Sequence, residues 1–452
     1  MIHHINVATS GMSVLGDRQV FSRSSETSRV TSASEAAELV RAGDHIVTSG
    51  CGAAPIEFLA ALAARSDLER VYLSHATAWG PLAHLDGDRR PKHIRLEAYF
   101  LPPLARRLHQ LGSVDYIPLT FSHMECMLRD GALKADIVAV TCSPPDAEGF
   151  CSLGPFVSYL PAAMQAARLV IAECSPNWPR TNGAARIHVS TIDKIIPVSR
   201  QPITSSGSEE LAEAPKIAAN VLTLVNDGAT IQIGRGAIPN AVAAELTDRR
   251  DLGVHSEMLS DWIVDLAERG IVTGARKTNY PGRIVTSFMD GSERLYEFAN
   301  ASSALLLQPI YEVNDPRVIS SEPNFVAINS AVEVDLTGQI NAESIGGHLI
   351  SGSGGLLDFA IGAALSRGGK FIITMPSTAK GGDLSRIVPR MASGAAVTVP
   401  RTLAHYVITE YGIADLRGCT LRERARRLIA IAHPKFREHL VDAAGLSSSE
   451  MV

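Results

Sequence analysis

The residues of this chain that can act on a small molecule are glycines standing beside a few charged groups. The densest cluster is Ser351-Gly-Ser-Gly-Gly-Leu-Leu-Asp-Phe359, which runs into a helical stretch from Ala360 to Leu365. Glycines ahead of a helix let backbone N–H groups approach an anion or a developing oxyanion, because no Cβ obstructs them. A plain turn explains one or two glycines, but Gly352, Gly354 and Gly355 together favour a ligand loop. No G-K-[ST] follows, so it is not a phosphate-binding P-loop. Among carboxylates, Glu257 in Leu252-Gly-Val-His-Ser-Glu-Met-Leu-Ser-Asp261 is set amid apolar and short polar residues, just past an expected strand. Spacing alone leaves it open between a hydrogen-bonded structural residue and a catalytic one. The 14 histidines are scattered without H-E-x-x-H or paired Cys/His spacing, so no metal site is expected. G-x-S-x-G is absent, which leaves a serine nucleophile unsupported.

The elements that must position these groups repeat. Ser32 and Glu35 have capping-box spacing ahead of Ala36, Leu39 and Val40, and Gly43 stops that helix. A strand His45 to Ser49 follows, then the loop Gly50-Cys51-Gly52-Ala53-Ala54-Pro55 and a helix ending near Ala64. Further on, the strand Ala229 to Ile233 leads into Gly234-Arg235-Gly236-Ala237-Ile238-Pro239 and the helical run NAVAAEL. Both loops read G-x-G-A-x-P between a strand and a helix, so an internal duplication is the economical explanation. Neither has the third glycine of a dinucleotide fingerprint in register. The polar stretch Gln201 to Glu213 is the expected linker between the halves. Strands are expected at Phe371 to Met375, Ala396 to Val399 and Tyr406 to Thr409. A helix is expected from Leu421 to Ala432, capped by Thr420 with Glu423. Strands alternating with helices predict α/β architecture with mostly parallel sheets, whose ligands sit at the carboxyl ends of the strands.

Composition narrows the class of partner. The 452 residues suit two or three packed units, and 46% hydrophobic with 20% charged residues is an ordinary globular balance. Lys plus Arg number 42 against 47 Asp plus Glu, a net charge of −5, which argues against nucleic acid as a partner. The six cysteines (Cys51, Cys126, Cys142, Cys151, Cys174, Cys419) show no C-x-x-C pair and suit a reducing cytoplasm. No run is long enough to span a membrane, and Met1 to Arg29 reads as a frayed leader.

Five motifs carry a resemblance. SPPDAEGFCSLG (Ser143 to Gly154), PNWPRTNG (Pro176 to Gly183), HSEMLSD (His255 to Asp261), SGSGGLLDF (Ser351 to Phe359) and ITEYGIADLRG (Ile408 to Gly418) resemble, in order, those of the acetyl-CoA hydrolase/transferase family. This is the branch of family I CoA-transferases that includes 4-hydroxybutyrate, butyryl-CoA:acetate and succinyl-CoA:acetate CoA-transferases. The resemblance runs from about Val30 to Leu440. It implies two related open α/β subdomains of CoA-transferase (NagB/RpiA-like) type, expected at 30–205 and 206–445, with a leader at 1–29 and a tail at 446–452.

The resemblance also implies roles. Glu257 would be the covalent nucleophile, and Gly355 with the amide of Arg235 would form the oxyanion hole. Asn314 and Glu410 would shape the acyl pocket, while Gly352, Gly354, Gly355, Asp358 and Lys380 would bind CoA. The partners would be an acyl-CoA and a small carboxylic acid, with CoA as substrate, no metal or other cofactor, and a homodimer or higher homo-oligomer as assembly. A carboxylate attacks a thioester only where water is scarce and N–H donors await the oxyanion. Three residues beside the expected site depart from the family: Leu356 stands where Gln is common, Trp262 where Gly is, and Arg235 where an apolar residue is. They bear on acyl and acceptor preference. The guanidinium of Arg235 either points to solvent or faces the cleft as a carboxylate clamp. An acyl-CoA hydrolase and a catalytically silent CoA-binding protein are the competing readings.

Overall fold

The computed structural model describes residues 29–75, 93–205 and 210–447. The expected leader lies outside the described residues except for Arg29, as does the expected tail beyond Ser447 and the linker segment 206–209. The first sheet is built from β1 (His45–Thr48), β2 (Val71–His75), β3 (Ile94–Ala98), β4 (Val114–Tyr116), β5 (Ile137–Cys142), β6 (Leu169–Cys174) and β7 (Lys194–Pro197). The second is built from β8 (Thr230–Ile233), β9 (Gly253–Leu259), β10 (Ile284–Met289), β11 (Leu305–Leu307), β12 (Phe325–Ser330), β13 (Lys370–Thr374), β14 (Tyr406–Thr409) and β15 (Gly412–Asp415).

Sheet one runs β7-β6-β5-β1-β2-β3-β4, and sheet two runs β15-β14-β13-β12-β8-β9-β10-β11 with the two-residue strand Asn182–Gly183 beyond β11. Apart from the added edges the two orders are the same. Every pairing is parallel except β14 with the edge strand β15. The repeated G-x-G loops follow β1 and β8, the strands from which each half winds first to one side and then to the other. The duplication legible in two short loops thus extends to the whole sheet topology.

Helices on both faces bury the strands, and β5, β8 and β10 are buried along their full length. Helix starts follow the capping chemistry of the sequence. Ser32 accepts from the Glu35 N–H at 3.2 Å while Glu35 accepts from the Ser32 N–H at 2.8 Å, and Thr420 with Glu423 does the same at 3.2 and 2.7 Å. Each such N-cap is worth about 1 kcal/mol. The helices they start are Ala33–Glu38 and Leu421–Ala430, both shorter than expected. Among the described residues, no helix is long and apolar enough to cross a membrane.

Two local expectations fail. Ala396 to Val399 is not a strand: the Ala396 N–H goes to Ser344 Oγ at 2.9 Å, and only Val399 bridges, to Ile340. Glu257 does not follow a strand but belongs to β9, near its carboxyl end.

The halves are fused as well as packed. Val157 and Ser158 donate to Ser287 O at 3.1 Å, Met289 donates back to Pro155 O at 2.8 Å, and Asn182–Gly183 pairs with β11. Phe156 and Phe288 pack at 5.5 Å between ring centroids.

Candidate active site

The cleft opens where two strands part. β8 pairs with β9 only at Thr230↔Gly253 and Ile231↔Val254, although its ladder to β12 continues to Ile233↔Ile328. Beyond Val254 the ladder gives way to side chains, with Ser256 Oγ donating to Ile233 O at 3.3 Å. Glu257 projects from β9 into a cavity of ≈180 Å³ whose walls include Gln232, Asn329, Phe100 and the Ser351 to Leu356 loop. Gln232 and Asn329 face each other across the two central strands and exchange amide hydrogen bonds of 2.9 and 3.3 Å. The site thus occupies the carboxyl ends of parallel strands at the point where the winding reverses, as the strand pattern predicts.

Two donors hold the Glu257 carboxylate. Asn314 Nδ2 donates to Oε2 at 2.7 Å, from a fully buried side chain just after the helix Ile310–Val313. The Gly355 N–H is the second donor. A Cβ built on Gly355 would lie 2.1 Å from Glu257 Oε2 and 2.2 Å from Asn314 Nδ2, so no side chain fits there. The preceding Gly354 has φ +52°, which turns the chain into the helix Leu356–Leu365. Gly352 is pinned otherwise: its Cβ would meet Tyr99 O at 3.1 Å and Phe100 Cα at 3.2 Å.

Burial pushes the Glu257 carboxyl up to about 7, and the nearby charge of Asp358 adds to the rise, while the Asn314 and Gly355 donors pull against it. Asp358 is raised to about 6 by its own burial, opposed by hydrogen bonds from Ser122. It accepts from Ser122 Oγ at 2.6 Å and from the Ser122 N–H at 3.1 Å, and is 2% exposed. Ser353 Oγ donates to Leu119 O at 2.9 Å. The loop that holds Glu257 is thereby anchored to the first half of the chain.

The structure brings Glu257, Asn314, Gly352, Gly354 and Gly355 together. Asp358 does not line the cavity; it stands behind Asn314 and ties the helix to Ser122. Arg235 sits on the neighbouring loop, where Gly234 lines the cavity, but its guanidinium pairs with Asp290, a carboxylate 1% exposed at the end of β10. That placement is neither of the two orientations expected of it. Glu410 accepts from the Ser377 N–H at 2.9 Å at the end of β14, on the same sheet edge but four strand spacings, roughly 19 Å, from β9. Lys380 is exposed in a tight turn after β13. Neither joins the Glu257 cluster. Leu356 lines the cavity, whereas Trp262 is buried in the core of the second half. Sequence reasoning missed Phe100, Ser122, Asp290 and the Gln232–Asn329 pair. The amide pair had one signal, since Gln232 is a polar amide set between Ile231 and Ile233 in the fully buried strand β8.

The first copy of the repeated loop is closed. Ile203 donates to Gly52 O at 3.0 Å, and a Cβ on Gly52 would lie 2.3 Å from Ile203 O and 2.8 Å from Tyr296 Oη. The Arg200–Glu173 pair, with Glu173 fully buried, seals the same spot from below. Nothing comparable approaches the matching Gly236, where a Cβ would meet only Pro239 Cδ at 3.8 Å, and the Cβ position of Gly234 beside it has no heavy atom within 4 Å. One of the two duplicated loops therefore faces a cleft.

Comparison with known proteins shows the family and the fold. Residues 14–204 match the acetyl-CoA hydrolase/transferase N-terminal domain and residues 291–444 the C-terminal domain of the same family. The chain is 41% identical over 419 residues to 4-hydroxybutyrate coenzyme A transferase of Clostridium kluyveri, covering 92% of this chain and 96% of that one. It is 36% identical over 426 residues to butyryl-CoA:acetate CoA-transferase of Anaerostipes caccae, covering 92% and 96%. The crystal structure of RipA from Yersinia pestis superposes with a TM-score of 0.86 at 36% identity, covering 94% of this chain and 98% of that one. The chain belongs to the acetyl-CoA hydrolase/transferase family and, with these relatives, to its CoA-transferring enzymes.

Proposed function

We propose that this enzyme moves CoA from a short-chain acyl-CoA to a carboxylic acid by a ping-pong route through Glu257. The observation that carries the reading is the Glu257 carboxyl itself, desolvated at the wall of a cleft and held by two N–H donors. Its carboxylate attacks the thioester carbonyl; the tetrahedral oxyanion collapses to an acyl-glutamyl anhydride and CoA thiolate leaves. The thiolate then attacks the glutamyl carbonyl, expelling the first acid as its carboxylate and leaving a glutamyl-CoA thioester. A second carboxylate runs the sequence in reverse. No proton or water is consumed, which suits a dry cleft.

Asn314 and the Gly355 N–H take a double part in this reading. They orient the nucleophile, and they stabilise the oxyanion that forms on Glu257 when the thiolate attacks it. The Arg235 amide is the proposed donor to the acyl oxyanion. CoA enters as substrate, and neither metal nor redox cofactor takes part. The reading includes a cytoplasmic location, to which the six free thiols lend support, and a homodimer or higher homo-oligomer as the assembly.

Incubation with acyl-CoA lacking an acceptor acid should add CoA to the peptide that contains Glu257, and Glu257→Ala should lower kcat by at least ~10³. Exchange proceeding with no adduct on the intact protein would overturn the covalent route. Steady release of free thiol without added acid would make the enzyme a hydrolase instead.

A further inference from the structure

A second group of nucleophiles lies in the first half, apart from the cleft. Cys142 ends β5 and Cys174 ends β6, and the two are direct register partners on adjacent parallel strands. Neighbouring strands lie roughly 4.8 Å apart, and paired side chains share a face of the sheet. That separation falls in the Cα range of about 4.4–6.8 Å that a disulfide bridges without backbone movement. Cys151 joins them from the short strand Phe150–Ser152, which is fixed beside β5 by Ser143 N–H to Ser152 O at 2.8 Å and Ser152 N–H to Ser143 Oγ at 2.9 Å. All three are free thiols, and the Cys142 thiol hydrogen-bonds to both of the others.

The three are not equivalent. Cys142 and Cys151 are each 1% exposed, whereas Cys174 is only half-buried. Hydrogen bonding with Cys142 holds Cys174 and Cys151 alike below the usual thiol range, and the Arg180 guanidinium lowers both further, so exposure is what singles out Cys174; Cys142 is raised well above that range by the same bonds. Arg180 is fixed near the group by donating to Pro144 O at 2.7 Å, and it lines a cavity of ≈200 Å³ that reaches Cys151. Thiolate character beside a cation, partial access and an adjacent second thiol are what a peroxide-reactive cysteine pair requires.

We propose that Cys174 and Cys142 form an oxidation site for hydrogen peroxide, with Cys174 attacking and Cys142 resolving. The Cys174 thiolate displaces hydroxide from the peroxide, which takes up a proton and leaves as water, and the sulfur becomes a sulfenic acid. Cys142 then attacks that sulfur and loses its proton as the sulfenic oxygen leaves as a second water. Two thiols thus give up two electrons to one peroxide and end as one disulfide. The site is independent of the chemistry at Glu257.

The test is peptide mapping of the reduced full-length protein after a peroxide pulse, with remaining thiols alkylated and no reductant present. A Cys142–Cys174 cross-linked peptide should accumulate and disappear on reduction. Cys174→Ser should abolish it, and Cys126→Ser should leave it unchanged. Dimedone present during the pulse should mark Cys174 in the unmutated protein, a readout that does not depend on any variant folding. The proposal is overturned if Cys174 stays alkylatable under a pulse that oxidises Cys126 or Cys419. A Cys142–Cys151 link in place of the expected one, or dimedone on Cys151 rather than Cys174, also overturns it.

Discussion

At Glu257 burial outweighs the donors that favour the charged form. Burial and Asp358 disfavour its charge, while Asn314 and the Gly355 N–H favour it, and the result is a group poised at about 7. Only the ionised form attacks, so kcat/KM should rise with pH through about 7 and level off above it. Asn314→Ala removes a donor to the charged form. The inflection should therefore move to higher pH, with kcat lower by ~10² to 10³ as for a lost oxyanion donor. A fall in kcat with an unmoved inflection would assign Asn314 to packing alone. Arg235 invites a different experiment, because its guanidinium is committed to the buried Asp290. Arg235→Val strands that carboxylate and should destabilise the fold by ~3 kcal/mol in denaturant titrations, and adding Asp290→Asn should restore most of it. A residue spent on Asp290 also predicts no preference among acid substrates in the KM of the variant. A larger KM rise for dicarboxylic than for monocarboxylic acids would return the guanidinium to the cleft.

At the scale of elements, the two G-x-G-A-x-P loops share a sequence and a topological position but not an environment. Gly52 is capped by the backbone of Ile203, so Gly52→Ala forces a contact near 2.3 Å and should lower stability while leaving the kcat of the folded fraction close to unchanged. Gly355→Ala sets its new carbon 2.1 Å from the Glu257 carboxylate and should lower kcat by at least ~10² with a smaller effect on folding. Similar losses of kcat in both variants would mean that the first loop also serves the cleft. This contrast marks how far the sequence could be read. Helix caps, strand-loop-helix units and the duplication are local patterns of a few residues, and they appear where expected, whereas Ala396 to Val399 reads like a strand but meets a neighbouring strand at Val399 alone. The partners that matter are long-range: Ser122 reaches Asp358 only because the halves pack together, and Ile203 closes over Gly52 only because the first half folds back on itself. No spacing along the chain encodes such meetings. For the same reason Glu410 and Lys380, close to the site by motif, stand apart from Glu257 in space.

For the whole molecule, the cleft is something the fold maintains against its own stability. The two halves are stitched through Ser287, Met289 and β11, and between them a carboxyl is kept out of water where its charge is costly. Glu257 has a folded-state value near 7 against an ordinary 4.5, so between those values the native state holds a proton that the unfolded chain releases. The residue's contribution to stability is therefore complete below about pH 4.5 and is lost as pH rises through about 7. Asp358, raised to about 6, acts in the same direction over a lower window. Glu257→Gln replaces the titrating group by a neutral one of nearly equal shape that keeps an acceptor for Asn314. Its thermal midpoint should exceed that of the unmutated enzyme at pH 8, with the gap narrowing steadily toward pH 5, while exchange activity is lost throughout. A gap independent of pH would mean that the gain comes from packing. A variant less stable at pH 8 would mean that the ionised carboxylate is stabilised by its donors more than burial disfavours it, and the rise of kcat/KM with pH would then have to centre well below 7.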